Sequence, residues 1–204
     1  MVDRGYEEVL APNHYFDRNF NLEAAKIMPG EYYTTQRDMI LVTVLGSCVA
    51  ACIRDHTNGI GGMNHFMLPD SGQEQGNPLS ASARYGAYAM EIMINQLIKQ
   101  GAKRANLEAK VFGGGNVLRG FTLANVGERN ATFVLDFLTT ENIRVAAQDL
   151  LDIYPRKVYY FPKTGKVLVK RLRQVHNDTI IVREKEYASR LQYAKVEGDI
   201  ELFS

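Results

Sequence analysis

Residues 39–68, MILVTVLGSCVAACIRDHTNGIGGMNHFML, read as three β-type runs separated by turn residues. Residues 39–45 (MILVTVL) are rich in β-branched side chains, which suit a pleated, covered surface. Gly46-Ser47 interrupts them, and residues 48–55 (CVAACIRD) form the next run. His56-Thr57-Asn58-Gly59 carries an Asn-Gly pair and predicts a hairpin into residues 60–68 (IGGMNHFML). Hairpins impose antiparallel pairing, so this stretch points to a sheet built from neighbouring strands.

Further along the chain, residues 70–79 (DSGQEQGNPL) read as a polar loop. Ser80 or Ser82 offers an N-cap for a helix ending near Gly101, with Ala83, Ala87, Met90, Ile94 and Leu97 on one apolar face. A strand at 107–112 runs into Gly113-Gly114-Gly115. A second helix is expected from Glu128 to about Asn142, capped by the Asn125–Asn130 segment, with Val134, Leu135 and Leu138 inward. Further strands are expected at 143–147, 156–161, 166–172 and 179–186, and Pro162-Lys163-Thr164-Gly165 supplies good turn chemistry between two of them. Residues 1–38 are polar and aromatic-rich, break at Met28-Pro29-Gly30, and read as an irregular arm laid over the core. Together these readings predict an α+β fold: a single domain of mixed or antiparallel sheets, β-sandwich-like, flanked by two main helices.

A chain of 204 residues suits one domain. Lys plus Arg is 24 and Asp plus Glu is 23, so the basic excess of a phosphate-contacting protein is missing and no nucleic-acid partner is expected. The longest unbroken apolar run, residues 48–53, has six residues. A membrane helix needs about 20. The opening MVDRGYEEVLAPNHYFDRNF lacks the apolar region of a signal peptide, so a cytoplasmic protein without membrane insertion is expected. The two cysteines, Cys48 and Cys52, lie four residues apart in one extended run and cannot reach each other.

Cys48 follows Leu45-Gly46-Ser47, where a strand meets a glycine and turns. Glycine leaves neighbouring N–H groups uncovered, which suits a nucleophile beside an oxyanion hole. An even-length hairpin loop makes the sum of paired positions odd, as is 48 + 65. Cys48 and His65 then project from one face, directly opposite across a loop at 55–58 or diagonally if the loop is two residues longer or shorter. An imidazolium there would stabilise the thiolate, lower the thiol pKa, and donate a proton to a departing amine. Thr43, on the preceding strand, has a hydroxyl that can orient the ring by accepting from its N–H.

Other readings compete. A buried cysteine and a strand histidine often serve packing alone, and Cys52 reads as core filler. Cys48, Cys52, His56 and His65 offer a zinc alternative, but there is no second close ligand pair. No Gly-Lys-Ser/Thr follows Gly113-Gly114-Gly115, so the run is not a phosphate loop. It reads as a close backbone approach or a groove wall.

Leu45-Gly46-Ser47-Cys48-Val49-Ala50, followed by Gly62-Met63-Asn64-His65-Phe66-Met67-Leu68-Pro69, resembles the CheD family of chemoreceptor glutamine deamidases. The likeness continues through Lys110–Gly114, Val126–Asn130, Thr164–Val169 and Gly198–Phe203, and so spans most of residues 13–203. It implies a deamidase domain over residues 39–204, with Cys48 as nucleophile, His65 as base and Thr43 as third member. Two departures stand out. The family pattern T-x-G-x-G-S-C sets its Thr one residue further from the Cys than Thr43 stands from Cys48. After Asp149, where the family often has a Gly pair, this chain has Leu150-Leu151-Asp152-Ile153-Tyr154.

The function so implied is hydrolysis of glutamine side-chain amides on the cytoplasmic helices of chemotaxis receptors, through a cysteine thioester. The same chemistry extends to glutamyl methyl esters. No cofactor and no metal are called for. The alternative is a non-catalytic role as binding partner or regulator of a CheC-type chemotaxis phosphatase.

Overall fold

The computed structural model describes residues 9–69, 81–117, 126–172 and 178–193. Its strands are β1 (Val9–Leu10), β2 (Asn13–Asp17), β3 (Leu22–Lys26), β4 (Glu31–Thr35), β5 (Ile40–Leu45), β6 (Val49–Asp55), β7 (Ile60–His65), β8 (Leu107–Gly113), β9 (Arg144–Leu150), β10 (Arg156–Phe161) and β11 (Lys166–Arg171). The helices are α1 (Ala81–Lys99), α2 (Val126–Thr140) and α3 (Asp178–Tyr193). A six-stranded sheet runs β1-β4-β7-β6-β8-β9, and a five-stranded sheet runs β11-β10-β5-β3-β2. Both are mixed: β1–β4, β8–β9 and β3–β5 pair in parallel, the other pairs antiparallel.

The apolar character of β5 follows from cover on both faces. Leu41 and Leu45 point into the main core, while Ile40 and Val42 join Ala24 in a smaller cluster with Phe20, Tyr159 and Phe161. Each fully buried leucine contributes about 1.5–3 kcal/mol. Thr43 is in phase with Leu41 and Leu45, which turns its hydroxyl inward. β6 and β7 are buried almost throughout. α1 and α2 pack on the six-stranded sheet, with Met90, Met93 and Leu97 of α1 and Val134 and Leu138 of α2 in the main core. Val158 and Tyr160 of the five-stranded sheet join the same core.

The hairpin turn is His56–Gly59, set by Asp55↔Ile60. Asp55 Oδ1 accepts from Thr57 N and Asn58 N, and Gly59 takes φ +67°. A type of residue without a Cβ suits that left-handed angle.

Four sequence expectations are corrected. Residues 9–38 are not irregular; they carry β1 to β4 and enter both sheets. Their signal was weak because β2 is an edge strand, exposed at Asn13 to Phe16, and shows no alternation. Residues 179–186 form no strand but lie within α3. Thr179-Ile180-Ile181-Val182 has strand-type composition, yet Ile180, Glu184, Tyr187 and Leu191 fall on a 4-3-4 helical spacing. The two expected helices are thus joined by a third. In α1, Ala83 and Ala87 are only half-buried, and Tyr85, Ala89 and Met93 take the inward positions beside Met90, Ile94 and Leu97. Finally, α2 begins at Val126, so Asn130 lies inside the helix and not in a cap.

Candidate active site

Gly46, Ser47 and Cys48 connect β5 of one sheet to β6 of the other. Their backbone polar groups are sorted by direction. On one side, Gly115 N donates to Gly46 O at 2.8 Å, Asn130 Nδ2 to Ser47 O at 2.9 Å, and Gly114 N to Cys48 O at 2.8 Å. On the other side, the N–H groups of Gly46, Ser47 and Cys48 converge on the carboxylate of Glu184 from α3, at 2.8, 2.9 and 3.2 Å. Ser47 Oγ donates to the same carboxylate at 2.7 Å. Gly46 O and Ser47 O share peptide planes with the N–H groups of Ser47 and Cys48, so holding these two carbonyls behind the loop aims those two amides forward, and with Gly46 N they make a preorganised anion cradle.

The glycines behind the loop permit this approach. Gly113 has φ +108°, and a Cβ there would lie 2.2 Å from Cys48 O. Asn130, fully buried, accepts from Leu68 N at 2.9 Å while it donates to Ser47 O, and so ties the segment after β7 to the Cys48 loop. The Gly113-Gly114-Gly115 run therefore acts as a close backbone approach.

His65 ends β7. Cys52↔Met63 and the bridge Val49↔Phe66 share one register, which sets His65 against Ala50, two residues from Cys48 and on the same face. The relation is diagonal because the four-residue turn starts at His56 and not at Asp55. Thr43 Oγ1 lies 2.7 Å from His65 Nδ1 and donates to Ile27 O, also at 2.7 Å. A hydroxyl has one proton, so Thr43 accepts from Nδ1–H, and the lone pair of the imidazole is left on Nε2. Nε2 is buried and has no hydrogen-bond partner among the described residues. The shortened spacing between Thr43 and Cys48 does not turn the hydroxyl away.

The surroundings of Cys48 and His65 oppose the expected thiolate–imidazolium pair. Cys48 is fully buried and His65 nearly so. Burial first, then the charge and hydrogen bond of Glu184, push the Cys48 thiol well above its ordinary value. Burial pulls His65 down to about 4, against a hydrogen-bonded contribution from Ile27 that raises it. Both shifts favour the neutral thiol and the neutral imidazole.

Glu184 is the site residue that the sequence reading missed. Its signal was a charged residue at an inward position of the 180-184-187-191 stripe. Cys52 is buried in the main core, and burial raises its thiol too, with Lys110 opposing. Leu151 and Asp152 take φ +64° and +72°, within the segment where the resemblance sets a Gly pair. That loop is pinned one layer behind the site. Leu151 N donates to Gly113 O, Asn116 N donates to Asp152 O, and the buried Arg156 guanidinium donates to Leu151 O, Tyr154 O and Asp149. Among the described residues, no group of three or more His, Cys, Asp or Glu side chains is placed to hold a metal ion.

An α+β fold of two mixed sheets with a thiol, an anchored imidazole and an amide cradle at their junction has the parts that acyl transfer at sulfur requires. Residues 67–171 match the family described as CheD chemotactic sensory transduction. A protein of Thiobacillus denitrificans named "Probable chemoreceptor glutamine deamidase CheD" is 70% identical over 202 residues, covering 99% of this chain and 100% of the relative. Proteins of the same name from Janthinobacterium sp. and Herminiimonas arsenicoxydans are 66% and 67% identical, each over 97% of this chain and 98% of the relative. The chain belongs to the CheD family.

Proposed function

We propose that this chain is a chemoreceptor glutamine deamidase that works through Cys48. The observation that carries the reading is the convergence of the Gly46, Ser47 and Cys48 amides beside a thiol, with His65 Nε2 left as a free base. His65 takes the thiol proton, and Sγ adds to the side-chain carbonyl of a receptor glutamine. The amide cradle holds the oxyanion. Protonated His65 gives its proton to the leaving ammonia. Water, deprotonated by His65, then opens the thioester to glutamate. Thr43 holds the imidazole in the tautomer that this sequence of steps needs. A glutamyl methyl ester would follow the same course with methanol leaving.

The names of the relatives support the substrate class, and no helix among the described residues is long and apolar enough to cross a membrane. The reaction belongs in the cytoplasm, where the receptor helices carry their glutamines. A CheC-type phosphatase is a further partner on the strength of the sequence resemblance, and co-purification from the native organism tests it. The reaction itself is tested by mass spectrometry of receptor cytoplasmic fragments. A gain of about 1 Da at a glutamine, as NH2 is replaced by OH, identifies amide hydrolysis. Fragments that stay unchanged with the wild-type chain would overturn the reading.

A further inference from the structure

The seat of α3 is shaped by side chains that are missing. A Cβ on Gly46 would lie 2.8 Å from both carboxylate oxygens of Glu184, and one on Gly30 would lie 2.9 Å from the Tyr187 ring. The Tyr187 hydroxyl is hydrogen-bonded to that of Tyr85 on α1. Tyr187 and Leu191 are buried, and Ile180 lines a pocket with His65, Val44 and Glu184. One face of α3 thus closes the site, and Glu184 stands at its centre.

The chemistry at that centre is specific. Glu184 is 3% exposed, and the partners nearest its carboxylate are three amides, the Ser47 hydroxyl and the Cys48 thiol, all donors. A glutamate on a helix, with its carboxylate in the oxyanion cradle and against the thiol, is what glutamine hydrolysis on a helix would leave behind. Glutamine differs from it by one NH2 in place of one oxygen. While Glu184 occupies the cradle, no substrate carboxamide can enter it.

We infer that α3 is an intramolecular stand-in for the substrate helix. The groove over Gly30, Gly46 and Cys48 accepts a helix that presents a glutamine, with apolar or aromatic side chains four positions before it and three and seven after it. α3 leaves when that helix enters. The inference rests on the deamidase reading of Cys48, and it adds the way the resting site is closed and the spacing of the apolar side chains around the glutamine that displaces α3.

One consequence is covalent. In a Glu184→Gln chain the carboxamide oxygen takes the place of Oε1 on the Gly46 and Cys48 amides, and its NH2 lies toward the Ser47 hydroxyl, which turns to accept from it. Cys48 Sγ adds to Cδ, the C–N bond breaks, and Nε2 leaves as ammonia with the proton that His65 took from the thiol. Solvent water then adds its OH to Cδ and returns a proton to sulfur, leaving Glu184 and a free thiol.

The test uses full-length chains. Glu184→Gln, isosteric with the wild type, is incubated alone and residue 184 is followed by fragment mass spectrometry. A gain of about 1 Da there is expected, and it should be absent from the Cys48→Ala/Glu184→Gln double variant. In parallel, iodoacetamide labelling of Cys48 is timed in wild type and in Glu184→Ala. Loss of the carboxylate uncovers the thiol and removes one cause of its raised pKa, so labelling should quicken about tenfold or more. Equal labelling rates would overturn the inference whatever the reaction proves to be. A carboxamide that persists at position 184 of the Glu184→Gln chain, when the wild type converts receptor fragments, would also overturn it. Faster labelling in Glu184→Ala, with receptor fragments untouched by either chain, would retire the deamidase reading and leave the closure by α3 standing.

Discussion

Two cysteines in one β-strand run differ by what surrounds them. Cys48 shares its loop with three convergent amides, whereas Cys52 packs in the core against no such cradle. Cys48→Ala should abolish receptor deamidation while Cys52→Ala keeps most of it, with folding of both checked by circular dichroism; equal losses would mean the wrong nucleophile. Thr43 acts through His65. Thr43→Val removes the acceptor for Nδ1–H and should lower kcat about 10- to 100-fold, with KM little changed and activity restored in Thr43→Ser. A loss carried by KM, or no rescue by serine, would deny it the positioning role. Of these residues, Cys48 and His65 were legible because hairpin parity needs only local sequence. The inward face of Thr43 was not, since both faces of β5 are covered and apolar neighbours flank it on each side. Glu184 showed only as a charge on the α3 stripe, and its partners, more than 130 positions away in sequence, were not readable from it.

At the scale of elements, the cradle depends on what lies behind it. Gly113→Ala would set a Cβ against Cys48 O, and the left-handed φ adds its own cost. Cys48 O lies in the Cys48–Val49 peptide, so pushing it aside shifts the backbone that positions the thiol, and activity on receptor fragments should fall at least about tenfold with the thiol itself untouched. Full activity in a folded Gly113→Ala chain would show that the glycine run serves packing only. Asn130→Ala leaves Ser47 O and Leu68 N without their buried partner and should cost roughly 2 kcal/mol in urea unfolding. A loss below the error of that measurement would remove Asn130 from the support of the loop. The hairpin strands and the first two helices were readable from turn residues and apolar periodicity. β1 to β4 and α3 were harder. β2 lies at a sheet edge with little to bury, and the β-branched start of α3 matches a strand until its longer spacing is counted. The charged residue that breaks the α3 stripe is the one that meets the Gly46, Ser47 and Cys48 amides.

The two sheets share one core, and at their junction His65 of the six-stranded sheet is hydrogen-bonded to Thr43 of the other. Its burial has a consequence for acid stability. The ordinary value of 6.5 falls to about 4 in the fold, so the unfolded chain binds a proton over that range while the folded chain does not. Stability conferred by the neutral ring is therefore complete above pH 6.5 and is lost as pH falls toward about 4, by roughly 3 kcal/mol for a shift of that size. Asp55 continues the trend at lower pH. Burial raises its carboxyl, but the amides of Lys103, Asn58 and Thr57 and the Asn58 side chain outweigh that and hold it at about 2, below the ordinary 3.8. Its contribution is present above 3.8 and is lost as pH falls toward about 2. The two windows adjoin and act in the same direction, so the urea midpoint of the wild type should decline in two stages from pH 7.5 downward. In His65→Gln the upper stage should vanish and the lower stage remain, even if the variant is less stable at every pH, because the slope and not the height reports proton uptake. An unchanged slope between pH 6.5 and 4 in His65→Gln would mean that the ring takes up its proton as readily in the folded chain as in the unfolded one. The burial that holds His65 well below its ordinary value, and with it the dry, Thr43-anchored site, would then have to be given up.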